Sequence, residues 1–411
     1  MLFRLAMRNI ARNVRRTALT ASTVLIGTAL FVVAVAWNTG IFGGMLSELA
    51  AVDGDLQIVA KEWAEKEVLQ PTYANIPDVA SLTDAVAKVR GISQVEPRIA
   101  VGVVVTANEE IGDHFARVVG ANPSYFERRF HGADKIIDGK WLTGGPEEVV
   151  LGRKIATDIG AKVGDRVLLL GQTQYGSMSP FAATVVGVVG SDAATDQSTY
   201  VRLEDAQWML DLAGGSLQVL AWADGADQDT LRAVEASVAA LPEMKGNVVS
   251  SWFTREPMKS FLPLTQAING FLGFLVVFIT SLAIFNTMTM SVMERTSEIG
   301  VMRSMGLSRM EALRLLVTEA LTIGLVGGAV GVLVGSGFAH WLQIHGVTLS
   351  EKLTERMGTA FPVKNTFYAE LTPGIAVAGL VLGLVIAAVG AFLPALRASS
   401  IQPVSAMQAK R

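Results

Sequence analysis

The sequence predicts a membrane α protein: four transmembrane helices, with a large α+β extracytoplasmic domain inserted between the first and second. Three observations carry that reading. Four uncharged runs, Thr17–Ser47, Phe261–Met293, Ala320–Ala339 and Leu371–Leu396, each supply the ~20 apolar residues that a helix needs to cross a bilayer. Between the first two lies Glu48–Lys259, with 19 basic and 30 acidic residues, a solvated composition. Basic residues also gather beside the spans: Arg4, Arg8, Arg12, Arg15 and Arg16 before the first, Arg295, Arg303, Arg309 and Arg314 between the second and third, and Arg397, Lys410 and Arg411 at the end. The excess of Lys and Arg on cytoplasmic loops then places both termini and the central hairpin inside and the large domain outside.

Taken in order, residues 1–16 place Leu2, Ala6, Ile10 and Val14 on one helical face and the arginines on another, the pattern of a cytoplasmic interfacial helix. A signal peptide is the rival, with Ala34-Val35-Ala36 resembling a cleavage site; the long uncharged run favours a retained first span at 17–47. The extracytoplasmic domain covers 48–260. Strands are expected at Asp55–Ala60, Arg98–Thr106, His114–Gly120, Glu147–Leu151, Arg166–Leu170, Ala183–Val189, Leu217–Trp222 and Asn247–Trp252. Helices are expected at Asp78–Val89, Lys154–Ile159, Leu203–Leu212 and Asp227–Leu241. This alternation, punctuated by Gly, Pro and Asp turns, indicates an α+β fold in two lobes.

The second span is set at 261–293, a charged cytoplasmic helix at 294–314, the third span at 315–340, an outer loop at 341–370, the fourth span at 371–396 and a cytoplasmic tail at 397–411. In the third span Gly324, Gly327, Gly328, Gly331 and Gly335 fall at four-residue spacings and are expected to line one face for close packing on another helix. Glu319 is expected at the membrane boundary, because a carboxylate at the bilayer centre costs about 2.5–3.5 kcal/mol.

Several chemistries lack their residues. Cysteine is absent, which removes disulfides, thiolate metal sites and cysteine nucleophiles. There is no Walker-type glycine loop, nucleophile elbow or His-Glu-x-x-His helix. His114, His131, His340 and His345 are scattered, so no metal site is expected, and no catalytic carboxylate pair stands out. The arginines are not interleaved with aromatics, so nucleic acid is not an expected partner.

The hairpin segment Glu294-Arg295-x-x-Glu298-Ile299-Gly300-x-x-Arg303-x-x-Gly306, followed by Glu319-Ala320, resembles the signature of the FtsX/MacB/LolC-LolE permease family. The entry sequence Leu5-Ala6-x-Arg8-Asn9-Ile10 and the exit Leu393-Pro394-Ala395-x-x-Ala398-Ser399 are similar to the family's termini. In the outer domain, Glu147-Glu148-Val149-Val150-Leu151-Gly152, Ala156 and Val163-Gly164-Asp165 resemble its MacB-like periplasmic core.

The resemblance implies a type VII, mechanotransmission ABC transporter subunit in a bacterial inner membrane. It implies a separate ABC ATPase dimer carrying ATP and Mg, a second permease subunit, and no cofactor or catalytic residue on this chain. Glu294, Arg295, Glu298, Arg303, Met305 and Gly306 would couple to the ATPase. Size and the absence of a fused ATPase look most like the lipoprotein-releasing LolC/LolE group, whose partners include a lipoprotein, a periplasmic carrier and membrane lipids. Ile41, Phe42, Met45, Phe261, Leu262, Phe271 and Phe274 would then line a lipid entrance, or simply face lipid. MacB-like export with a tunnel partner and FtsX-like control of a cell-wall hydrolase are the alternatives.

Overall fold

The computed structural model describes residues 14–66, 70–107, 113–191, 193–223, 227–255, 258–348 and 366–400. It divides into two units: Met1–Gly43 with Pro263–Val347 and Thr366–Arg411, and Gly44–Leu262 with Thr348–Asn365. In chain order the elements that matter for function are α1 (Val14–Asp53), β1 (Leu56–Ala60), α2 (Val79–Ala87), β2 (Gln94–Thr106), β3 (His114–Ala121), β4 (Ile136–Gly139), β5 (Glu148–Gly152) and α3 (Arg153–Asp158). Next come β6 (Arg166–Gln172), β7 (Met178–Val189), β8 (Ser198–Arg202), α4 (Leu203–Leu210), β9 (Gln218–Trp222), α5 (Gln228–Ala239) and β10 (Asn247–Ser251). Last are α6 (Met258–Glu294), α7 (Thr296–Ser304), α8 (Arg309–His345) and α9 (Pro373–Ser400).

In the outer unit the strands run β10-β1-β9-β2-β3-β8-β5-β7-β4, and β6 joins both β2 and β7. The pairings β2–β3, β3–β8, β8–β5, β5–β7, β7–β6 and β6–β2 therefore close a ring of six strands. Alternate residues such as Val101, Val103, Val105, Leu169 and Val185 pack with Met209 and Leu210 of α4 in one core. A second core, under α2 and α5, packs Leu82, Val86, Leu231 and Val234 on Leu56, Ile58 and Val219. The long strand β2 is common to both lobes, pairing with β9 at Gln94–Arg98 and with β6 at Val104–Thr106. Helices α2 and α5 begin where their sequences dictate: Asp78 and Asp227 each accept a hydrogen bond from the backbone N–H three residues on, the N-cap geometry.

The last turn of α1 belongs to this unit and its carbonyls are all but consumed. Trp222 Nε1 donates to Ala50 O (2.9 Å), and Tyr125 Oη and Arg98 Nη1 donate to Val52 O (3.0 and 3.2 Å). Arg98 also pairs with the Asp53 carboxylate at 2.5 Å and donates twice to Gln218 Oε1. Cations and donors at a helix C-terminus satisfy orphan carbonyls and oppose the helix dipole.

In the membrane unit four helices are long and apolar enough to cross a bilayer, and glycines set their spacing. A Cβ on Gly327, Gly331 or Gly335 would stand 2.7, 2.6 and 2.8 Å from Ala21 O, Leu25 O and Ala29 O of α1. A Cβ on Gly324 would stand 2.4 Å from Ala387 Cβ of α9, and Gly328 abuts Gly383. The expectation of one glycine face is thus corrected: the residues form two ridges against two helices, because a three-residue step turns the helix about 300° and a four-residue step about 400°. Helix α6 packs on α1 through Gly27 beside Thr280 and Phe31 beside Gly273. It is tied there by Asn38 Nδ2 donating to Asn269 Oδ1 at 2.7 Å. On α9, Gly390 admits Ile284, and Ser281 Oγ donates to Ile386 O at 3.2 Å.

Several expected bounds shift. The helices overrun the uncharged runs, because helix bonding does not stop where charge begins: the first extends to Asp53 and the third starts at Arg309 instead of 315 and ends at His345. The third start is fixed by a capping box, Ser308 with Glu311, so the charged segment 294–314 is one short helix, a turn and the first turns of α8. The expected interfacial helix 1–16 is described only from Val14, where α1 is already helical, and the tail beyond Ser400 lies outside the described residues, as does most of the outer loop.

Candidate functional site

The candidate site is the α6–α7–α8 hairpin, and its architecture begins at Arg295. Helix α6 ends at Glu294, and Arg295 takes φ −100°, ψ 8° as the residue before α7. Its carbonyl accepts from Ile299 N at 3.0 Å, opening the next helix. Its guanidinium turns inward to Glu319 of α8, with Nη1 at 3.2 and 3.4 Å from the two carboxylate oxygens. Both side chains are less than a tenth exposed. Helix α8 begins ten residues before Glu319, so the carboxylate lies about 15 Å along the helix, and a cation from the neighbouring helix end neutralises it. A buried pair of this kind costs desolvation and is best regarded as a device that fixes geometry.

Helix α7 presents two unlike faces. Ile299 and Met302 pack on Val292, Leu313, Leu316 and Ala395. On the opposite side Glu298, Val301 and Met305 follow at i, i+3 and i+7, all exposed, with Met305 at 75%. Glu294 and Met293 are exposed just before them. The helix closes on Gly306 at φ +104°. Leu307 N donates to Met302 O and Gly306 N to Arg303 O, each at 3.1 Å, the Schellman closure that a glycine permits. The hairpin thus offers an acidic and methionine-bearing stripe on a short helix that is braced from behind. Methionine's flexible thioether suits a surface that must adapt to a partner.

Of the residues singled out in the sequence, Glu294, Glu298, Met305 and Gly306 lie on the exposed side of this hairpin, Arg303 is half-buried, and Arg295 is its internal brace. Sequence reasoning passed over Val301, although its three-residue step from Glu298 was visible. The residues proposed for a lipid entrance are divided between the two units. Phe271 and Phe274 are exposed on α6, and Phe274 stacks on Phe278 with ring centres 6.0 Å apart. Ile41 and Phe42 are half-buried on α1. Phe261 and Leu262 belong to the outer unit, where Leu262 packs against the core under α2 and α5. The side chain of Met45 lies outside the described residues. No cluster that could hold a metal ion occurs among the described residues.

A family model described as the MacB-like periplasmic core domain matches residues 17–241, and one described as the FtsX-like permease C-terminal matches 270–403. The macrolide export ATP-binding/permease protein MacB of Rhodospirillum rubrum is 24% identical over 421 residues, covering 99% of this chain and 60% of its own length. The pyoverdine export ATP-binding/permease protein PvdT of Pseudomonas fluorescens is 25% identical over 417 residues, covering 95% of this chain and 57% of its own. The chain therefore spans about 60% of the length of these curated relatives. Among solved structures, the periplasmic region of MacB from Actinobacillus actinomycetemcomitans is 14% identical, with 54% of this chain and 98% of that one covered at a TM-score of 0.37.

Proposed function

The chain belongs to the FtsX/MacB-type family of ABC transporter permeases, and we propose that it is a membrane subunit driven by a separate ATPase, whose work it passes to its outer domain to export small molecules or peptides. The observation that carries the proposal is the α7 stripe of Glu298, Val301 and Met305, exposed on a helix whose other face is buried against α6, α8 and α9. A partner pressing on that stripe would move Arg295, and through the Glu319 pair the cytoplasmic third of α8, as one body. The ATPase supplies that pressure when its own bound ATP and Mg turn over. The hairpin then faces the cytoplasm, as the basic residues beside the spans indicate, and a second permease subunit completes the complex.

The export reading draws on the named activities of the macrolide and pyoverdine relatives. A second reading, release of lipoproteins from the membrane to a carrier, is favoured by Phe271, Phe274 and Phe278, an exposed aromatic row on α6 that an acyl chain could follow. One experiment separates them. The chain is purified with its co-expressed ATPase, and ATP turnover is measured with a macrolide, a siderophore-type peptide and a triacylated lipoprotein. Stimulation by the first two supports export, and stimulation by the lipoprotein alone overturns it. Equal, unstimulated turnover in all three would favour a regulatory role without a substrate path.

A further inference from the structure

The outer unit carries an open sheet edge beside a groove. Strand β10 stands at one end of the strand order and, among the described residues, pairs with β1 alone. Its phase is fixed by Trp252 N donating to Asp55 O and Lys61 N donating to Gly246 O, both at 3.0 Å. In an antiparallel ladder only alternate residues exchange bonds with a given neighbour. Even-numbered residues of β10 therefore bond to β1, and Asn247 and Val249 turn their N–H and C=O groups outward. Among the described residues those outward groups meet no partner. Edges are normally blunted by charge, proline or a bulge; the sequence Asn-Val-Val-Ser-Ser holds neither of the first two, and its register with β1 is unbroken.

A groove of about 420 Å³ runs beside this edge, lined by Ala239, Leu241, Pro242, Met244 and Val249. Lys245 is the one charged residue in the lining, and neither it nor the exposed Lys61 at the same end of the strand makes an ion pair among the described residues. We propose that β10 is a docking edge for an extended segment of a separate protein. The segment adds a strand through Asn247 and Val249, sets an apolar side chain in the groove and places an acidic residue at the Lys61–Lys245 end. Strand addition takes its affinity from main-chain bonds and its specificity from alternate side chains in pockets. A second copy of β10 is the poorer occupant, because flat edge-to-edge pairing would leave the groove unfilled and its lining without contacts. The site goes beyond the transport reading and does not depend on which substrate crosses the membrane.

The test is a random decapeptide library displayed on phage and panned on the full chain in detergent. Enriched sequences are expected to alternate apolar and polar residues with Asp or Glu near one end. Their synthetic forms should slow hydrogen exchange at the Val249 amide and bind more weakly in high salt. Val249→Pro removes an outward N–H that β1 does not use, which an edge strand tolerates, and should weaken binding about tenfold. Ala239→Trp, at an exposed position, fills the groove without touching the core and should do the same, so the proposal stays testable if the proline variant unfolds. Failure to enrich any peptide, or peptides that bind the wild type and Ala239→Trp equally, overturns it. Concentration-dependent protection of the Val249 amide without peptide would also overturn it, in favour of a second copy.

Discussion

Replacing Gly331 by alanine tests whether the α1–α8 crossing is set by glycine. The new Cβ would stand 2.6 Å from Leu25 O and 2.9 Å from Thr28 Cβ. Restoring ordinary contact at about 3.4 Å requires the two backbones to part by roughly 0.8 Å, and overpacking of this kind costs about 1–3 kcal/mol. Neither atom in the way is the end of a flexible side chain, so the strain cannot be shed by a rotamer change. Gly337→Ala in the same helix is the control, since nothing lies within 4 Å of its Cβ. Both variants gain the same helix propensity, about 1 kcal/mol in a soluble host, so their difference isolates the steric cost. Denaturant unfolding in one detergent should place Gly331→Ala about 1–3 kcal/mol below Gly337→Ala. Adding Gly327→Ala to Gly331→Ala should cost less than the sum, because the first separation already opens the second contact. Equal stabilities of the two single variants would refute the reasoning.

Other outcomes follow from the same geometry. Arg295→Met leaves the Glu319 carboxylate buried without its cation and should destabilise by about 3–5 kcal/mol, whereas Arg295→Met with Glu319→Leu should recover most of the loss; a double-mutant cycle in unfolding reads the difference. Glu298→Lys reverses the charge on the exposed stripe and should leave expression and melting unchanged while ATP turnover in the complex loses its response to substrate. Burial raises the Asp53 pKa, but Arg98, Arg255 and Arg117 outweigh it and hold the carboxyl at about 2. A lowered native pKa stabilises above the unfolded value and loses that contribution as the pH falls. Up to about 2 kcal/mol should therefore disappear between roughly pH 4 and pH 2, and Asp53→Asn should flatten that acid limb in denaturant titrations.

The spans and the strand–helix alternation were legible because each has a local cause: an unbroken apolar run, a period of two, or an Asp before a helix. The closed ring of strands was not, because the pairing of Val104 with Leu170 joins residues far apart in sequence. Strand β7 begins at Met178, five residues before the expected start, and takes in Pro180 opposite Leu170 close to the hairpin end. Arg98 is a sign visible in the sequence: a charge within a valine-rich strand needs a counter-charge, and Asp53 supplies it. In the hairpin, Gly306 and the Ser308–Glu311 capping box are local signals although one helix is expected over 294–314, whereas the inward swing of Arg295 depends on Glu319 in another helix, 24 residues away. The cluster of Tyr125, Phe126, Phe130, Trp141 and Tyr200 left one local sign, an aromatic-rich run that fitted no helix or strand period.

The bond from Asn38 to Asn269 limits how α1 and α6 can rearrange. Sliding one past the other by a turn, about 5.4 Å, would break the bond between these two half-buried carboxamides, at a cost of about 0.5–1.5 kcal/mol. Small tilts about that point break nothing. The helix pair therefore behaves as a scissor with its rivet off-centre, so that displacement grows with distance from the pivot and a push on the shorter arm becomes a wider swing on the longer.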